Sequence, residues 1–134
     1  MKHLLRYNQL FENLELTLFY RLIGGGQFGG PPVTEDTEPI IGNSVTQVFA
    51  TPKISGINYM IEFSLEQGEN ELTGDPIQPK DMRVLEISST SARAPFPHEK
   101  FMNWDDSDEG EVFIPIGKII NVYTLDQWHN EHRV

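Results

Sequence analysis

The 134-residue chain contains no cysteine. That absence excludes a disulfide framework, a thiolate nucleophile and thiolate metal sites together. Basic residues are scarce, 10 Lys and Arg against 20 Asp and Glu, for a formal charge of −10. Nucleic-acid binding needs cations that displace condensed counterions, and an acidic surface also repels anionic headgroups. Direct contact with nucleic acid or a membrane is therefore not expected. Apolar runs end after a few residues, far below the ~20 that span a bilayer. Asn8, Gln9 and Glu12 interrupt the place where a secretory apolar segment would sit. The expectation is a cytoplasmic protein with no export signal.

What is present suits a small globular domain. One core serves a chain of this length, and 8 Phe, 4 Tyr and 2 Trp supply large buried area. We read residues 1–134 as a single domain. Leu4, Tyr7, Leu10, Phe11 and Leu14 recur at helical spacing, predicting a short N-terminal amphipathic helix. From Leu14 to Ile23 the period becomes two, which predicts a strand. Gly24-Gly25-Gly26-Gln27-Phe28-Gly29-Gly30-Pro31-Pro32 then breaks regular structure and opens a long loop or arm over residues 24–43. Deleting residues 25–30 is expected to spare folding and weaken assembly.

Further strands are predicted at residues 45–51, 57–66, 82–89, 112–116 and 119–125. In the second of these, Ile57, Tyr59, Ile61, Phe63 and Leu65 point one way, before a turn at Gln67-Gly68-Glu69-Asn70. Pro115 cannot donate to a ladder, so its strand is expected at an edge or to end there. A helical turn is expected at residues 97–102 and another at 126–133. The fold class is mainly β (α+β): a small antiparallel barrel or sandwich of five to six strands with one short N-terminal helix. Residues 111–123, a strand through Pro115, a break and then IINVY, resemble the closing strands of SH3-like and Sm-like barrels. The opening MKHLLRYNQLFE is similar to the starts of small proteins of large tailed bacteriophages, a resemblance that carries no activity with it; a phage structural or accessory component would work in host cytoplasm or virion.

No pattern reaches the threshold of a catalytic or cofactor motif. Residues 24–29 match G-x-G-x-x-G in letters, yet Gly30-Pro31-Pro32 prevents the helix that a pyrophosphate site needs. Asp105, Asp106, Ser107, Asp108 and Glu109 fail the EF-hand test, because position twelve falls on Ile116. His129 and His132 could share a metal on a helix, but no third ligand is near in sequence. Ser88, Ser89 and Ser91 lie in no nucleophile motif. Arg83, Arg93 and Lys100 read as neutralising partners for acidic windows. No cofactor and no metal are expected.

The expected function is a non-enzymatic one, through contact with a protein partner or a second copy. The glycine arm and the acidic turn are the candidate contact residues: Gly26, Gln27, Phe28 and Gly29, with Asp105, Asp106, Asp108 and Glu109. Two alternatives stand beside it: an acidic inhibitor that imitates nucleic-acid phosphates, and a small-ligand-binding β-barrel.

Overall fold

A computed structural model describes residues 18–26, 29–69, 74, 76–93 and 112–132. Strands β1 (Leu18–Ile23), β2 (Ser44–Ala50), β3 (Arg83–Ser88) and β4 (Val112–Thr124) form one antiparallel sheet in the order β1-β3-β4-β2. Helix α1 (Ile54–Gln67) joins β2 toward β3, and α2 (Leu125–Glu131) follows β4 directly. Just past β2, Thr51 exchanges two backbone hydrogen bonds with Tyr20, at 2.7 and 2.9 Å. The outer strands thus meet at one bridge, and the sheet is a curled half-barrel.

Alternation within the strands builds two apolar layers. Tyr20, Leu22, Val84 and Tyr123 pack against Ile57, Met60 and Ile61 of α1 and Leu125 and Trp128 of α2. On the other face Phe19, Ala50, Leu85, Ile87, Ile114 and Ile119 meet one another from all four strands. The central strand β3 is consequently buried on both faces from Val84 to Ile87.

The mainly-β antiparallel architecture agrees with the sequence reading, with four strands among the described residues where five or six were expected. The largest correction is at residues 57–66, predicted as a strand and folded as α1. Ile57 and Ile61 satisfy both periods, so alternation and helix cannot be separated by them. Met60, expected outside, is buried, whereas Tyr59 and Leu65, expected inside, are 43% and 38% exposed. The buried set Ile57, Met60, Ile61 and Ser64 follows the 3.6-residue repeat. Gly68, read as part of a turn, ends this helix at φ 80° with its N–H on the Ser64 carbonyl.

Residues 112–116 and 119–125, predicted as two strands, form one 13-residue strand that is paired on both flanks. Pro115 therefore lies in a central strand. Its missing N–H is tolerated because β3 pairs only as far as Lys118 and the β2 register skips Gln47, opposite Pro115. Gln47 adopts φ 55°, the left-handed region. Gly117 supports continuity for a second reason: a Cβ there would lie 2.7 Å from Ile87 Cγ2.

The described part of the glycine segment packs closely at its start. Gly24, Gly25 and Gly26 are buried, and Gly26 exchanges backbone hydrogen bonds with Gly30 at 3.0 and 2.7 Å. A Cβ on Gly24 would approach the Asp81 carbonyl oxygen to 2.2 Å, and one on Gly25 would meet Ser64 Oγ at 2.7 Å. These contacts make the start of the loop part of the packed body, so deletion of residues 25–30 removes packing rather than a free arm. Among the described residues no helix is long and apolar enough to cross a membrane.

Candidate functional site

The concentration of polar side chains in the described core is on β3. Glu86 faces the helices beside Val84, and the strand register sets it between Tyr20 of β1 and Asn121 of β4. It is 8% exposed. Asn121 Nδ2 donates to Glu86 Oε1 at 3.0 Å, Tyr123 Oη donates to the same oxygen at 3.3 Å, and Tyr20 Oη donates to Oε2 at 3.3 Å. A buried carboxylate needs such donors to offset its lost hydration.

Aromatic rings close the cluster on the helix side. Trp128 sits edge-on to Tyr20 and Tyr123, with centroids 5.2 and 5.5 Å apart. Its indole N–H donates to Asn58 Oδ1 at 2.9 Å, tying α2 to α1. His132, one residue past α2, lies 3.9 Å from the Trp128 ring centre, and its buried Nδ1 has no hydrogen-bond partner among the described residues. The electrostatics follow from the burial. Desolvation first, then the Glu86 charge and its hydrogen bond, raise the Tyr20 pKa above the ordinary phenol value. The same causes, with smaller contributions from Glu131 and Tyr20, push Tyr123 up to about 12. Both phenols therefore remain protonated donors at neutral pH, committed to Glu86.

A second feature lies on the β2–β4 side. The turn at residues 40–43 is held to β4 by Gly42 N–H on the Ile119 carbonyl (2.7 Å) and Ile119 N–H on the Asn43 carbonyl (2.9 Å). It carries Ile40 and Ile41, 61% and 58% exposed, and β4 adds Ile116 and Ile120 at 56% and 36%. Pro39, Ile40, Ile41 and Val122 line an open groove of about 570 Å³, with Arg83 at its rim. Arg83 is held there by a two-pronged pair with Glu38, at 2.9 and 3.0 Å.

The sequence-derived contact residues divide between described and undescribed parts. Gly26 is buried and Gly29 half-buried in the glycine segment. Gln27, Phe28, Asp105, Asp106, Asp108 and Glu109 lie outside the described residues, as do the predicted N-terminal helix and the turn at 97–102. Of the two histidines considered for metal, His129 is exposed on α2 and His132 is stacked on Trp128. No group of three metal-ligating side chains occurs among the described residues. Ser89 and Ser91 both donate to the Ile116 carbonyl, at 2.7 and 3.0 Å, and so anchor the chain leaving β3. Sequence reasoning missed Glu86 and its partners. Its signal was a single acid inside the apolar run Val84-Leu85-Glu86-Ile87. The chain matches no protein-family model, no curated protein and no solved structure.

Proposed function

We propose that this protein acts without catalysis, through contact with another protein chain, as a component of an assembly. The observation that carries this reading is the groove beside Ile40 and Ile41, with two large apolar side chains standing mostly in solvent. Isolated exposed apolar residues are ordinary, whereas adjacent ones along an open groove mark contact surfaces. The Glu86 cluster supports the same reading from the other direction. Its carboxylate is engaged by three donors of the chain itself, so its chemistry holds β1, β3 and β4 together. On this reading the component would belong to a virion or to host cytoplasm, a setting suggested by the likeness of the opening residues to small phage proteins.

Gel filtration with light scattering tests the proposal, on the purified chain and on the producing-cell extract. The expected species is heavier than the 15.3 kDa chain. A double variant, Ile40→Ser with Ile41→Ser, is expected to return it to the single-chain mass at unchanged Tm. A wild-type chain that runs singly in both settings defeats the reading. The phosphate-imitating alternative draws on Glu62 and Glu66, which sit four residues apart on the exposed face of α1.

A further inference from the structure

The acidity of this chain is not shared by its sheet. Residues 16–34, 39–61 and 112–125 contain no Asp or Glu, yet they include Arg21, Lys53 and Lys118. Three of the four strands, β1, β2 and β4, come from these stretches, and the acid in β3, Glu86, is buried toward the helices. Arg21 and Lys118 are thus the only charged residues of β1, β2 and β4, within a chain of net charge −10.

These strands include an open edge. β2 pairs with β4 on one side only, and its other side meets β1 only near the Tyr20–Thr51 bridge. Beside the bridge, Arg21 Nη1 donates to the Phe49 carbonyl at 2.8 Å. From Ser44 to Val48 the outer edge has no strand partner among the described residues. Arg21 is partly buried, takes part in neither of the ion pairs among the described residues, and makes one hydrogen bond among them where a guanidinium offers five donors. Desolvation lowers its pKa from the ordinary arginine value. Unused donors on a partly desolvated cation favour an incoming carboxylate.

We infer that the free edge of β2, from Ser44 to Val48, takes an extended acidic segment of a partner protein as an added strand, with a carboxylate of that segment reaching Arg21. The inference rests on the contact reading above and names the chemistry of the partner. Backbone bonds to the edge supply affinity, and Arg21 and Lys118 on the acid-free strands supply selectivity. A nucleic-acid strand fits less well, because it cannot complete a β ladder and two strand cations are too few for its row of phosphates.

The test uses the full chain and a fluorescein-labelled eight-residue peptide of alternating Glu and Thr. Anisotropy at low salt is expected to show saturable binding, with at least tenfold loss at 0.5 M NaCl as screening sets in. Arg21→Gln is expected to weaken it about tenfold, and Lys118→Glu, at an exposed position, severalfold. Amide exchange at residues 44–48 should slow on binding. Failure of the wild-type chain to bind this peptide overturns the inference, as does equal binding of a Lys/Thr peptide or tighter binding of an eight-nucleotide oligothymidylate. Unchanged affinity in Lys118→Glu also overturns it, and this variant decides the matter if Arg21→Gln fails to fold. Assembly seen by light scattering without peptide binding sinks this inference and leaves the contact reading standing. Peptide binding with no assembly does the reverse.

Discussion

At the scale of single residues, the energetic weight falls on Glu86 and the groups around it. Glu86→Ala would strand the Tyr20 and Tyr123 hydroxyls and the Asn121 amide without their acceptor. The expected loss is about 2–4 kcal/mol, measured by urea unfolding. Glu86→Gln keeps an acceptor oxygen and should cost only about 1 kcal/mol. A pH dependence follows from Tyr123. Its folded pKa of about 12 lies above the ~10 of an unfolded tyrosine. The folded state then holds a proton that the unfolded state releases, so this contribution is intact below pH ~10 and disappears as pH rises toward 12. Tyr123→Phe should flatten that alkaline decline, with absorbance titration of the phenols as the independent check. None of this cluster could be assembled from sequence, because Tyr20 and Glu86 lie 66 residues apart and only the strand register makes them neighbours.

Among the elements, what was legible depended on whether the apolar pattern had one period or two. β1, β2, β3 and α2 follow from local alternation, the proline after Thr51, and the Thr124–Gln127 cap at 2.9 and 3.1 Å. α1 was hidden because Ile57 and Ile61 fit both periodicities. With Ile61 buried in α1, Ile61→Ala should cost about 3 kcal/mol, whereas Leu65→Ala, on the exposed side, should cost well under ~1 kcal/mol. A strand would penalise both alike. β4 was hidden for a different reason. Val45 and Val48 both pack on one apolar layer although they are three residues apart, which an unbroken strand forbids. The left-handed Gln47 between them restores the face. A shift of register near Glu86 and Ile87 does the same for Ile119 and Val122. The break itself was read from Pro115 and Gly117, and these irregularities, which have no signature in alternation, let one strand run through both.

For the molecule as a whole, the excess of carboxylates sets the response to salt. Only Lys80–Asp81 and Arg83–Glu38 are ion pairs among the described residues, so most of the acidic charge there meets no salt-bridge partner. A net charge of −10 repels itself in the compact state. Raising NaCl from about 10 mM to 150 mM shortens the Debye length from ~30 to ~8 Å, and Tm should rise by a few degrees across that range. A Tm that falls would mean attraction between charges dominates instead. The bridge at Tyr20 and Thr51 carries a separate consequence. It is a clasp of two backbone bonds, backed by one from Arg21, whereas β1–β3, β3–β4 and β2–β4 are each ladders of six residue pairs. Under mechanical load or mild denaturant the half-barrel should unclasp there first, swinging β1 and β2 apart while β3 and β4 stay zipped.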